Sequence, residues 1–172
     1  MATSLEKISG YLDSAGLQFR VDEGKGHVAT GVKCHNYRNL CGDLEVRIYV
    51  ELSENGEYIK MFSPACYSYR DGRYKAAVFQ VCLMVSWMTK MLQFEYDSED
   101  GEIRAIIEFP LEVAELTGRQ LLRCIHGIAE TVDKFDASVR IAMKTGEIQM
   151  PETEDRSELL SAFQEFLKTR KK

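Results

Sequence analysis

The 172-residue sequence predicts an α+β domain, an antiparallel sheet with helices packed on one face in the order α-β-β-β-β-α-β-β-α-α. Three observations carry this. Leu44, Val46, Ile48, Val50 and Leu52 alternate with Glu45, Arg47, Tyr49 and Glu51, the pattern of a strand with one dry and one wet face. Asn55-Gly56 and Asp100-Gly101 each separate two short strand-like runs, as hairpin turns do. Two longer stretches, 76–92 and 117–146, are apolar at helical rather than alternating spacing.

The chain opens with a helix over Thr3–Ala15. Thr3 and Glu6 match a capping box, Leu5, Ile8, Leu12 and Ala15 share a face, and Gly16 supplies a left-handed stop. Leu17–Val21 alternates and reads as a half-buried strand. His27–Lys33 follows as a second, weakened by Gly31. Residues 34–43 read as a loop. After the clear strand at 44–52 and its turn, Tyr58–Phe62 returns as the paired strand, with an extension to Tyr67 past Pro64. Phe94–Asp97 and Ile103–Phe109 form the later hairpin, ended by Pro110. Thr117 and Gln120 make another capping box. Leu121, Ile125, Ile128 and Val132 give a core stripe that Phe135, Val139 and Ala142 continue up to Gly146. The expected domain is therefore 3–146, followed over 147–172 by a polar linker and an amphipathic helix at Ser157–Lys168.

The helix expected over Ala76–Leu92 is the most informative segment. It holds 13 apolar residues in 17, and the exceptions Gln80, Ser86, Thr89 and Lys90 scatter around the wheel. A membrane span is argued against by length, by the lysine and by the flanking strand patterns. A helix without a polar face needs burial on more than one side. Its second side would meet the last helices, the same helix of a second copy across a two-fold axis, or a client. Val78, Phe79, Met84, Trp87 and Met91 are the candidates for core or dimer contact.

Function classes are narrowed mainly by what fails to match. A net charge of -5 argues against a dominant nucleic-acid footprint. No charged segment followed by an apolar one opens the chain, so no signal peptide is expected. The five cysteines are odd in number and irregularly spaced, which reads as free thiols in a cytoplasmic protein. Cys34-His35 with Cys41 and His27 lacks the two close pairs of structural zinc, so these read as loop residues. Aligning Gly101 with the glycine of a calcium loop puts Tyr96 and Ile107 where carboxylates belong, leaving an acidic hairpin tip. Cys124 and His126 point to different faces of a helix and cannot form a nucleophile–base pair. No Gly-rich phosphate loop, G-x-S-x-G or H-E-x-x-H occurs, so no catalytic, metal or cofactor residue is assigned and no cofactor is expected. Tyr67, Tyr69 and Tyr74 alternate with Arg70, Arg73 and Lys75, which suits either a loop anchored by aromatic packing or contact with an acidic partner.

Ile8-x3-Leu12-x3-Gly16-Leu-x-Phe19, the apolar helix, Phe94-x-Tyr-Asp-x2-Asp-Gly and Leu116-Thr117-x2-Gln120-Leu121 together resemble the YbjN-like proteins, described as sensory transduction regulators. Their fold is similar to that of type III secretion chaperones. The resemblance covers about residues 3–146. It implies a dimeric α+β domain that acts by binding protein, as cytosolic chaperones do when they hold an extended client segment. The expectation is thus a non-enzymatic, cytoplasmic homodimer with a protein client and neither nucleic acid nor membrane as partner. A small-molecule or catalytic site on the sheet face is the alternative.

Overall fold

The computed structural model describes residues 3–151. The expected helix at 157–168 lies outside them. The described elements are α1 (Leu5–Ser14), β1 (Phe19–Asp22), β2 (His27–Lys33), β3 (Glu45–Ser53), β4 (Tyr58–Ser68), α2 (Lys75–Met88), β5 (Gln93–Tyr96), β6 (Glu102–Pro110) and α3 (Gly118–Thr145). The expected α+β architecture is present. Six strands form one antiparallel sheet in the order β1-β2-β3-β4-β6-β5, so β1 and β5 are its edges.

Pleating sorts the strand residues by face. Register aligns Val28 with Val50, Val50 with Met61 and Met61 with Ile107, a row that is buried under the helices. The neighbouring row, Ala29–Tyr49–Phe62–Ile106, points to the open side. Phe62 is nevertheless only 9% exposed. Tyr49 stacks on it at 5.8 Å, and the Lys60 ammonium and Arg104 guanidinium lie 4.7 and 5.7 Å from its ring centre. Both cations also pair with carboxylates, Lys60 with Glu51 at 2.8 Å and Arg104 with Glu95 at 2.7 Å.

Several expected boundaries move for identifiable reasons. Ser4, not Thr3, caps α1: its hydroxyl accepts from the Lys7 amide at 3.2 Å, while Thr3 is buried. β1 starts two residues later than expected. The Asn55-Gly56 turn is a 3-10 turn over Glu54–Gly56 with three successive positive φ values. β4 does continue past Pro64, but its register against β6 shifts between Ser63 and Tyr67. Proline has no N–H to give the ladder, and the Ala65 amide instead donates to Glu102 Oε1 at 2.6 Å. α2 ends at Met88 rather than Leu92. Thr89 turns extended, and its hydroxyl donates to the Ser86 and Leu92 carbonyls.

α3 is the longest element. Thr117 and Gln120 form the expected capping box, and Gly146 closes the helix at φ 78°. Its buried stripe includes Leu121, Ile125, Ile128, Val132, Phe135, Val139 and Ala142. α3 packs on α1, α2 and strands from both halves of the sheet. It also ties down the loop at 34–43. The Asp133 carboxylate accepts from the successive amides of His35, Asn36 and Tyr37 at 3.1, 2.6 and 2.8 Å. Arg140 grips Asp136 through its Nε at 2.8 and 2.9 Å, and its other arm donates to the Arg38 carbonyl at 2.8 Å. The Tyr37 hydroxyl reaches the Cys66 carbonyl at 3.0 Å. Cys34 and His35, which looked like metal ligands by type, thus belong to a turn built around Asp133.

Four of the five cysteines are core residues and Cys41 is exposed; none is disulfide-bonded. Burial pushes the Cys34 and Cys66 thiols up to about 11 and the Cys82 thiol up to about 12, and raises Cys124 too.

Two predictions follow from this packing. Partial desolvation at Asp133 opposes its charge, but the three amides win and hold the carboxyl below its ordinary value. A carboxyl with a depressed folded-state pKa stabilises the fold at neutral pH and loses that contribution as acid protonates it. Asp133→Asn is expected to cost about 1–2 kcal/mol at neutral pH, with the gap to wild type closing in acid, measured by urea denaturation at both. In a thiol titration at mildly alkaline pH the native protein is expected to give one fast-reacting thiol, Cys41, and all five in denaturant. Fast reaction at two or more native sites would contradict the described core.

Candidate protein-binding face

α2 is apolar on two sides for two different reasons. Val78, Val81, Cys82 and Val85 face the core and are at most 5% exposed. The next face carries Phe79, Leu83 and Trp87, spaced i, i+4, i+8, which a 3.6-residue helix stacks into one ridge. α2 leans mainly on α3 and on the edge strand β5, so among the described residues this second ridge is covered at Phe79, by Tyr96, and stays largely open at Leu83 and Trp87. Leu83 is 70% and Trp87 83% exposed.

β5 extends the surface. Phe94 and Tyr96 are half-buried, and Tyr96 packs on Phe79 with ring centres 4.8 Å apart. Between helix and strand lies a cleft of about 160 Å3 lined by Phe79, Cys82, Leu83, Phe94, Tyr96 and Ile103. The Tyr96 hydroxyl is buried there with no hydrogen-bond partner among the described residues. Lys75 sits over the Tyr96 ring at 5.5 Å, at the rim. Met91, 48% exposed, prolongs the ridge past the end of the helix.

The five candidate residues therefore divide. Val78 is core. Phe79 and Met84 are half-buried, and Trp87 and Met91 lie open. Sequence reasoning missed Leu83, Phe94 and Tyr96. Leu83 had a signal, the four-residue step from both Phe79 and Trp87. Phe94 and Tyr96 had none, because only the sheet order makes β5 an edge beside α2.

A larger groove of about 740 Å3 lies on the open side of the sheet near β1, between Gly16–Arg20, Ala29–Lys33 and Glu45–Tyr49. Its Arg47 is paired with Asp43 at 3.2 Å and Glu45 at 3.6 Å. Cys124 is buried while His126 is exposed, so the two occupy different faces of α3. Tyr67 and Tyr69 anchor the loop before α2, Tyr67 by burial and Tyr69 by donating to the Met143 carbonyl at 2.6 Å. Among the described residues no three His, Cys, Asp or Glu side chains gather as a metal site, and no helix is long and apolar enough to cross a membrane.

No family model matches the chain, and no curated protein matches it. Among solved structures it is similar to YbjN from E. coli, a proposed transcription regulator, with a TM-score of 0.53 and 9% identity over 80% of this chain and 94% of that one. The HopA1–SchA chaperone–effector complex gives a TM-score of 0.47 and 13% identity over 72% of this chain and 84% of that one. The likeness to YbjN is one of fold: the chain has a YbjN-like α+β architecture.

Proposed function

We propose that this chain is a non-enzymatic protein-binding module, chaperone-like or regulatory in role, that works as a homodimer through the α2–β5 face. The observation that carries the reading is the exposed pair Leu83 and Trp87, on the ridge that half-buried Phe79 begins, on a helix whose inner face is buried. A soluble protein seldom leaves two large apolar side chains open in one row unless something covers them.

A second copy fits this ridge by its own symmetry. A two-fold axis through Leu83 sets Phe79 of one copy opposite Trp87 of the other, since both lie four residues away. Ridges of this spacing interdigitate at a crossing angle of about -50°. A stable interface needs about 800 Å2 from each partner, so the outer face of α2 would be joined in it by Met91, Phe94 and Tyr96. The buried Cys34, Cys66 and Cys82 thiols are pushed away from the thiolate form, which speaks against a cysteine nucleophile at those positions.

The test is the oligomeric state. Wild type is expected at twice the chain mass by size-exclusion chromatography with light scattering. Leu83→Asp with Trp87→Asp is expected to run as a folded monomer, with self-association weakened at least about a hundredfold, roughly 3 kcal/mol. A wild type that stays monomeric at high concentration overturns the homodimer.

A further inference from the structure

The ridge has a second candidate occupant in the same chain. We infer that residues 157–168 dock in cis on Phe79, Leu83 and Trp87 and compete there with the partner copy. The inference rests on the reading of this face as the self-association surface.

Three observations lead to it. The first is where the described chain stops. A Cβ on Gly146 would lie 2.6 Å from Tyr74 Cδ1, so α3 ends against the residue that precedes α2. Met150 still packs on the core, so the described chain stays close to the body up to its end at Pro151. α3 therefore ends beside the first turn of α2, five residues before the described chain stops.

The second is length and pattern. Leu159, Leu160, Phe163, Phe166 and Leu167 share one face of a helix. Twelve residues of helix span about 18 Å, against about 12 Å from Phe79 to Trp87. The residues between Pro151 and Ser157 reach about 20 Å when extended. The segment can therefore start near Lys75 and run alongside α2 with its apolar face on the ridge.

The third is charge. Glu152, Glu154, Asp155 and Glu158 lie just before and at the start of the segment and outweigh the single Arg156 among them. Arg73 and Lys75 stand at the start of α2, and neither has a carboxylate within ion-pair distance among the described residues. α2 itself carries no acidic residue to repel the incoming end. Apolar matching and charge matching thus select the same placement.

A tether of this length holds the segment at an effective concentration of about millimolar. A partner copy then meets an open ridge only for the fraction of time the segment is off, and its apparent affinity falls by that fraction.

Trp87 reads this directly, because it is the only tryptophan in the chain. The experiment is acrylamide quenching of the full-length protein, compared with full-length Phe163→Asp/Phe166→Asp, over a dilution series that light scattering shows to extend below dimerisation. The expected result is a shielded Trp87 in wild type at every concentration, and in the variant a severalfold larger quenching constant in the dilute samples and dimerisation at lower concentration. Glu154→Lys/Asp155→Lys is expected to shift quenching in the same direction without touching the apolar face. Equal quenching of wild type and Phe163→Asp/Phe166→Asp throughout overturns the inference. If Trp87 is then shielded only as concentration rises, the second copy alone covers the ridge and the homodimer stands. Concentration-independent shielding in a wild type that never dimerises keeps this inference and removes the homodimer.

Discussion

The packing of α3 on the sheet is the constraint on which the rest of the structure depends. Seven large or well-fitted side chains from Leu121 to Ala142 lie in one stripe, and burying an aliphatic or aromatic side chain contributes about 1.5–3 kcal/mol each. That stripe fixes where the helix lies, and the helix then fixes its neighbours. Asp133 and Arg140 leave its other side to hold the loop at 34–43, and its last turn takes the Tyr69 hydroxyl. α2 has no comparable hold on the sheet. It reaches the body through α3 and the four-residue strand β5, so its inner face is set by α3 and its outer ridge is what remains.

The two faces of α2 follow from one composition. Every residue from Val81 to Val85 is apolar, so no rotation of the helix can turn a polar face to water. The rotation that is adopted buries the β-branched Val78, Val81 and Val85, whose compact shapes fill the space above α3 and β5. It leaves out the larger Leu83 and Trp87. The surplus is a property of the segment, and the surroundings decide only which residues bear it.

Much of this fold was legible because most elements announce both their period and their ends. The strand at 44–52 alternates without exception, and α3 carries its cap, its stripe and its terminal glycine in the sequence. What was not legible depended on contacts distant in sequence. Ser4 and Thr3 are equally good caps by type, and burial of Thr3 decides between them. Cys34 and His35 look like ligands until Asp133, 98 residues away from His35, is seen to collect the amides of that turn. Ala76–Leu92 reads as one helix because apolar spacing carries no stop signal there, whereas the chain ends the helix with a hydroxyl at Thr89. The candidate face was half legible: the ridge has a helical period, but its extension onto β5 follows from strand order, which local pattern does not encode.

Strand order also bears on how this protein can associate. Both free edges of the sheet are only four residues long. β1 ends in Asp22 and carries Arg20, and β5 holds Glu95, whose carboxylate is engaged by Arg104 on the next strand. Short, charged edges are poor templates for adding another strand. Apolar area in the form of a helix ridge is a better one, because it asks for side-chain packing without requiring unpaired amides to be satisfied. Protection of the sheet edges and exposure of the α2 ridge are therefore two sides of the same arrangement. The edge strand β5 is kept short and braced by α2, and the bracing helix carries the apolar residues Leu83 and Trp87 that the sheet leaves uncovered.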